Sequence, residues 1–371
     1  MHTLLDVKWE NRKKIYHKIR ETGSISASIL SYELQLSRPT IKQNLDDLME
    51  EGLIYENGSF GYTGGRRAKS YAIAERCRVA IGMDLTLNHI TLIMVDLCGN
   101  QIYEKRLRHP FHNSDLYLRY LGELIEEAIE EQKISTDCIL GVGITVPALI
   151  AEDKKEIFYG EILKITGLPV GYFGKYIPYP CHLFNDASAA GYAEKSINTE
   201  VMNAFYISLC NSIGGAFWIN DEICEGETFK AGEIGHVTII PEGRPCYCGQ
   251  KGCFETYCNT AILAEHYDGM LAVFFEKLAA KEPQAVSLWD DYLYYLAIAI
   301  KNLRMLYDCK VILGGYLGAY IEPYLDKLKS MVHKSSSFED SMDYLLVGKV
   351  KREALALGGA LPFIHEFWQN I

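Results

Sequence analysis

The sequence predicts an α/β protein with a small helical module ahead of a two-lobed body. Three observations carry that expectation. Residues 9–49 hold three short stretches of helical periodicity, separated at Gly23 and at Leu36–Ser37. Residues 79–107 and 203–224 each read as strand, loop, strand, turn. Elsewhere helices alternate with strands, the pattern of sheets covered by helices. The chain has 371 residues, enough for two or three domains. Its 49% hydrophobic and 23% charged residues are ordinary for a globular protein and exclude a disordered one.

The N-terminal elements follow from their punctuation. Ile15 and Ile19 share a face of a helix over 9–21, which Gly23 stops. Ser24 or Ser26 can cap a short helix from Ser26 to Leu34, and Leu36–Ser37 makes a turn. Ser37 caps the next helix, through Met49, with Pro39 in its first turn, where a missing N–H costs little. Ile41, Leu45, Leu48 and Met49 line its inner face, Gly52 ends it, and Leu53–Tyr55 starts a strand. Helix, short turn, recognition helix and β-wing together read as a winged helix-turn-helix. Arg38, Thr40, Lys42, Gln43 and Asn44 are then expected on the exposed start of the recognition helix, facing the major groove of double-stranded DNA. The loop from Gly61 to Lys69 is the wing tip, where Arg66, Arg67 and Lys69 supply charge for phosphates or a minor groove. Such modules usually work as dimers on paired half-sites. Charge points the same way: residues 1–76 hold 12 Lys+Arg and 10 Asp+Glu, a net of +2, so a chain of net −11 leaves −13 on the rest. The expected domains are 1–76 and 77–371.

In the body, Val79–Leu85, Ile90–Asp96 and Gln101–Leu107 read as strands, then Leu116–Glu131 as a helix before the strand Ile139–Val146. Ala204–Leu209 and Ala216–Ile219 repeat the hairpin, and the helix Asp290–Tyr307 precedes the strand Val311–Leu313. The repeated hairpin indicates an internal duplication. The first loop of each repeat, Thr86–His89 or Cys210–Gly215, could hold phosphate if glycine-rich.

Eleven cysteines, an odd and scattered number, argue against a disulfide framework. No apolar run approaches the roughly 20 residues that span a bilayer, and the N-terminus does not read as a secretory signal, so the expected compartment is the cytoplasm. Cys77, Cys98, Cys138, Cys181, Cys210, Cys224 and Cys309 lie in apolar stretches and are expected in the core, with Cys258 as a spare thiol. The remaining three are different. His236 is followed by Cys246-Tyr-Cys248-Gly-Gln-Lys-Gly-Cys253, and three thiolates with one imidazole complete a closed tetrahedral shell. His236, Cys246, Cys248 and Cys253 are expected to bind one structural zinc ion, with Gly249 and Gly252 turning the chain so the sulfurs converge.

At this cluster the sequence resembles the ROK family of repressors, open reading frames and sugar kinases. Glu233-Ile-Gly-His236 and Cys246 to Glu255 match its Glu-x-Gly-His and Cys-x-Cys-Gly-x-x-Gly-Cys-x-Glu pattern. Phe184 to Glu194, Gly143 to Pro147 and Gly314-Gly315 extend the resemblance over nearly the whole chain. It implies an actin/hexokinase-like fold with a monosaccharide or sugar phosphate held between two lobes. Asn185, Asp186, Glu233, His236 and Glu255 would then contact the sugar, Asp186 standing where family kinases have the general base. Asp186 taken alone would also suit a helix N-cap. The kinases' first phosphate loop, Asp-x-Gly-Gly-Thr, is here Asp84-Leu-Thr-Leu-Asn88, and the second, Leu209 to Gly215, keeps only its last glycines. Phosphoryl transfer rests on holding the nucleotide's charge, so these departures imply a sugar sensor with little or no kinase activity. The expected protein is a sugar-responsive transcription repressor, homodimeric or a dimer of dimers, with a ROK kinase bearing a DNA-binding module as the alternative.

Overall fold

The structure is a computed structural model that describes residues 4–59, 69–151, 155–228, 230–335, 338 and 341–371. At the N-terminus α1 (Leu4–Thr22) buries Ile15, Tyr16 and Ile19 completely and starts one turn earlier than its sequence pattern. After β1 (Ile25–Ser26), the Ser26 hydroxyl caps α2 (Ala27–Glu33) by accepting from the Ile29 N–H. Ser37 caps α3 (Arg38–Glu50), accepting from the Thr40 N–H at 3.3 Å. The hairpin β2 (Ile54–Ser59) and β3 (Lys69–Ile73) forms the wing, and β1 pairs with the far side of β3.

The first lobe opens with β4 (Val79–Leu85), β5 (His89–Asp96) and β6 (Gln101–Arg108), an antiparallel meander. Every position of β4 is buried, as in a strand covered on both faces. Helix α4 (Asp115–Gln132) leads to β7 (Ile139–Val146), parallel to β4. A two-stranded ribbon, β8 (Leu149–Ala151) and β9 (Glu156–Tyr159), precedes β10 (Cys181–Asn185), parallel to β7, and then α5 (Asp186–Ile197). The second lobe repeats the plan with β11 (Ala204–Leu209), β12 (Ile213–Ile219) and β13 (Glu222–Ile223). Helices α6 (Glu255–Cys258), α7 (Thr260–Ala264), α8 (Leu271–Ala279) and α9 (Pro283–Tyr307) lead to β14 (Lys310–Gly314). Then come α10 (Leu325–Ser335), β15 (Leu345–Val347) and α11 (Ala354–Gln369). The sheet orders are β10-β7-β4-β5-β6 and β15-β14-β11-β12-β13. In each, the first strand of a three-strand meander pairs with a parallel strand that in turn pairs with a second one, so the duplication read from the hairpins extends to all five strands.

The last helix crosses back to the first lobe and packs on β4, β7 and α5. Glycines allow it. A Cβ on Gly82 would lie 1.8 Å from the Ala356 carbonyl oxygen, one on Gly143 1.9 Å from that of Gly359, and one on Gly358 1.8 Å from that of Ala189. The same helix receives the N-terminal module. Trp368 donates its Nε1–H to the Leu97 carbonyl at 3.1 Å and lies under Arg20, so a single apolar core runs from Ile15 and Ile19 to Leu97 and Ile364. The expected boundary at residue 76 therefore falls within a continuous packed region.

Two expectations need correction. Gly214 and Gly215 are not loop residues; they sit in β12 opposite Ser208 and Ile207. Their role is packing, since a Cβ on Gly214 would lie 2.5 Å from the Ala187 Cβ on α5. Among the isolated cysteines, Cys210 and Cys309 are buried, while Cys77, Cys98, Cys138, Cys181 and Cys224 are only partly so, because several lie at strand ends and edges. Cys258 is a free thiol outside the cluster, fully buried beside Tyr292, whose hydroxyl donates to its carbonyl at 2.5 Å. No described helix is long and apolar enough to cross a membrane.

Candidate functional site

The four proposed metal ligands come from three turns of chain. His236 ends a 3₁₀ turn, Ile234–His236. Cys246 and Cys248 sit in a turn closed by the Gly249 N–H to the Cys246 carbonyl at 3.0 Å and the Cys246 N–H to the Gln250 carbonyl at 2.8 Å. Gly249 and Gly252 have φ of +86° and +76°, and a Cβ on Gly252 would lie 1.7 Å from the Ile240 carbonyl oxygen. The ligand atoms of His236, Cys246, Cys248 and Cys253 all lie within 4.8 Å of one another. Cys248 and Cys253 Sγ are 3.7 Å apart, and Cys246 Sγ is 3.7 Å from His236 Nδ1. Tetrahedral zinc with Zn–S of about 2.3 Å separates two sulfurs by about 3.8 Å, whereas a disulfide holds them near 2 Å. The donor set and its spacing fit a closed metal site.

The other ring nitrogen of His236 points away from the sulfurs. Its Nε2 lies 3.3 Å from the Tyr247 hydroxyl and 3.9 Å from Glu233 Oε2. Glu255 follows Cys253 on α6, is 4% exposed, and accepts the Ile213 N–H at 2.6 Å. A Cβ on Gly235 would lie 3.2 Å from Glu255 Oε2, so the Glu233–His236 turn presses on that carboxylate.

Across the cleft, β10 ends at Asn185 and α5 starts at Asp186. The N-cap is Asn185, not Asp186: its Oδ1 accepts the Ser188 N–H at 2.9 Å and its Nδ2 donates to the Ala148 carbonyl at 3.0 Å. Asp186 is thereby released from capping, and its carboxylate accepts the neighbouring Ala187 N–H at 2.8 Å. Burial, with Asp84 and Glu233 nearby, pushes its carboxyl up to about 8. Burial likewise raises Asp84 to about 6, against the Thr145 hydroxyl that donates to it at 3.0 Å. Glu233 and Glu255 are raised to about 7, again chiefly by burial. Crowded, poorly solvated carboxyls of this kind are suited to accepting from ligand hydroxyls.

Asn185 and Glu233 also form one end of a cavity of about 860 Å³ that runs along α5. Sequence reasoning missed its far wall. Ser188, Ala189, Tyr192 and Lys195 line it at helical spacing, a signal present in the sequence but indistinguishable there from an ordinary buried face.

The match to known sequences follows these features: the ROK family pattern covers residues 80–365. The chain belongs to the ROK family. It is 30% identical to the xylose repressor of Bacillus subtilis (strain 168) over 382 residues, spanning 98% of this chain and 97% of that protein. It is also 30% identical to the glucokinase of Halalkalibacterium halodurans over 263 residues, 63% of this chain and 79% of the kinase. The solved structure of a ROK family transcriptional regulator, a homolog of the E. coli MLC protein, shares the fold with a TM-score of 0.74 at 20% identity, covering 98% of this chain and 97% of that one.

Two further regions bear on how this ROK chain works. On the side where family kinases cradle phosphate, four backbone donors are engaged within the chain. The Thr86 N–H donates to the His89 carbonyl and the His89 N–H to the Thr86 hydroxyl, both at 3.0 Å. The Gly315 N–H donates to the Tyr206 hydroxyl at 3.0 Å, and the Tyr316 N–H to Cys210 Sγ at 3.5 Å. Arg106 of the first lobe lies 5.1 Å from the ring centre of Tyr316 of the second. In the N-terminal module, Arg38, Lys42 and Gln43 are exposed on α3, and Thr40 is half-buried with its hydroxyl 2.8 Å from that of Ser37. Asn44 corrects the sequence reading. It is 3% exposed and donates Nδ2 to the Thr40 carbonyl at 2.8 Å, because its position falls beside Ile41 and Leu45 on the inner face. Lys69 is exposed and pairs with Glu56 across the wing, while Arg66 and Arg67 lie outside the described residues.

Proposed function

We propose that this chain is a DNA-binding transcriptional repressor of a carbohydrate-utilisation operon, released or retuned by a sugar in the interlobe cleft. The observation that carries this reading is the docking of a winged helix-turn-helix on the helix α11 that also packs against α5, the helix bearing Asn185 and Asp186. A full-length relative named as a xylose repressor supports it. Arg38, Thr40, Lys42 and Gln43 are the groove-facing set, with Arg66, Arg67 and Lys69 on the wing. Asn185 through its remaining N–H, Asp186, Glu233, Glu255 and the Nε2 face of His236 contact the sugar. Zinc held by His236 Nδ1 and the three thiolates fixes the turn that presents Glu233 and His236; it orients those contacts and takes no chemical step.

Two copies act together, setting the spacing of two recognition helices on a palindromic operator. A sugar that prefers one lobe arrangement shifts that spacing through its differential affinity alone. Titration of operator DNA with the protein, with and without monosaccharides and their phosphates, tests this. A DNA affinity that no sugar alters removes the sensor role.

The chain is a regulator without kinase turnover. Its first nucleotide-side loop lacks the glycines of family kinases and its second keeps only Gly214 and Gly215, while the N–H groups of His89, Gly315 and Tyr316 are bonded to Thr86, Tyr206 and Cys210. The kinase reading keeps one specific support, the retained Asp186 together with a glucokinase relative. An ATP-dependent phosphorylation assay over common hexoses decides it: turnover abolished by Asp186→Asn makes the chain an enzyme.

A further inference from the structure

The cavity beside the sugar carboxylates is too long for one sugar ring. Asn185, Ser188, Ala189, Tyr192 and Lys195 line it along a single face of α5, and ten residues of helix at about 1.5 Å each extend about 15 Å. Its volume of about 860 Å³ lies near the upper end of ligand cavities, roughly 300 to 1,000 Å³. One hexose at Asn185 and Glu233 fills only the near end.

The remainder has the chemistry of a second ring's bed. Phe184 and Tyr192 are partly buried aromatic side chains of its lining, and Gly358 and Pro362 of α11 line it as well. Lys195 pairs with Asp221 at 2.7 Å at the far end, offering a donor and an acceptor with no net charge. Of the other charged lining residues, Glu225 and Glu233 are set against Lys155. With Asp221, Glu225 and Glu233 against Lys155 and Lys195, the lining offers no excess of positive charge to an anionic extension, whereas a neutral polyhydroxylated ring meets apolar faces and hydrogen-bonding rims.

We propose that the effector is a neutral glycoside of two linked rings, the first at Asn185, Asp186 and Glu233 and the second over Phe184 and Tyr192, reaching Lys195–Asp221. This rests on the sugar-site reading above and goes beyond it by fixing the ligand's size and charge. The second ring contacts Tyr192, whose hydroxyl is hydrogen-bonded to His365 Nδ1 on α11, so the longer ligand alone reaches the helix on which the DNA-binding module sits.

Isothermal titration of the full-length protein with cellobiose, maltose, xylobiose and lactose, and with glucose, xylose and galactose, tests it. The expected result is at least one disaccharide binding tenfold or more tighter than its component monosaccharides. Tyr192→Ala abolishes that advantage and leaves the monosaccharide Kd within twofold, while Tyr192→Phe keeps it. Lys195→Ala gives the same selective loss and serves if Tyr192→Ala fails to fold. Monosaccharides binding as tightly as every disaccharide, or Tyr192→Ala and Lys195→Ala weakening both sizes equally, overturns the proposal and leaves the sugar site standing. A chain that binds neither size removes the sugar site itself, and this extension with it.

Discussion

The guanidinium carbon of Arg20 lies 3.5 Å from the centre of the Trp368 ring. This contact joins the module's first helix to the last helix of the body, and no carboxylate shares it: Arg20 Nη1 is buried without a hydrogen-bond partner among the described residues. Trp368 packs at a tilt against His365, ring centres 4.7 Å apart, and His365 bonds to Tyr192. A partly buried cation held by a ring face, worth about 0.5 to 2 kcal/mol, is strong enough to orient the module and weak enough to be broken and remade.

Trp368→Ala is therefore expected to uncouple the two ends. Effector affinity stays within about twofold, while the effector-induced change in operator affinity, typically 5- to 150-fold in coupled systems, falls toward one. Trp368→Phe retains part of it. Fluorescence anisotropy of labelled operator with and without effector measures both. An unchanged coupling factor in Trp368→Ala excludes this path.

The raised carboxyl of Asp186 makes stability depend on pH. The folded chain keeps a proton there up to about pH 8, which the unfolded chain releases near pH 4. That proton's contribution is whole below pH 4 and is lost as pH rises to 8, because ionisation is easier in the unfolded state. Asp186→Asn retains the acceptor for the Ala187 N–H and has no such loss. Its melting temperature should match the parent near pH 4, exceed it increasingly up to pH 8 by about a few degrees, and plateau above. The same variant should lose sugar binding. A constant offset across pH argues that Asp186 ionises normally.

One zinc per chain is expected by elemental analysis of protein purified without chelator. Cys248→Ser or strong chelation should lower the melting temperature and weaken sugar binding, because the turn that presents Glu233 and His236 loses its anchor. Metal-free protein with unaltered sugar affinity separates the cluster from the sugar site.

On the recognition helix, Arg38→Ala, Lys42→Ala and Gln43→Ala should each weaken operator binding, by about 1 to 3 kcal/mol where the side chain reads a base. Asn44→Ala should instead cost about 1 kcal/mol of folding stability through its lost bond to the Thr40 carbonyl. Electrophoretic mobility shifts and thermal melts of the four variants distinguish the two classes.

The sequence by itself determined what local chemistry controls. Ser37 and Pro39 start α3, the Gly249 and Gly252 turns gather the sulfurs, and the two hairpins announce a duplicated body, because each depends on residues close along the chain. Only the tertiary structure decided relationships between distant segments. It turned Asn44 inward, made Asn185 rather than Asp186 the cap, placed Gly214 and Gly215 under α5, and laid α11 across both α5 and the N-terminal module. One helical face looks the same in sequence whether it borders a core, a cavity or another domain, so Tyr192, His365 and Trp368 could not be told from packing residues until the fold set them in line.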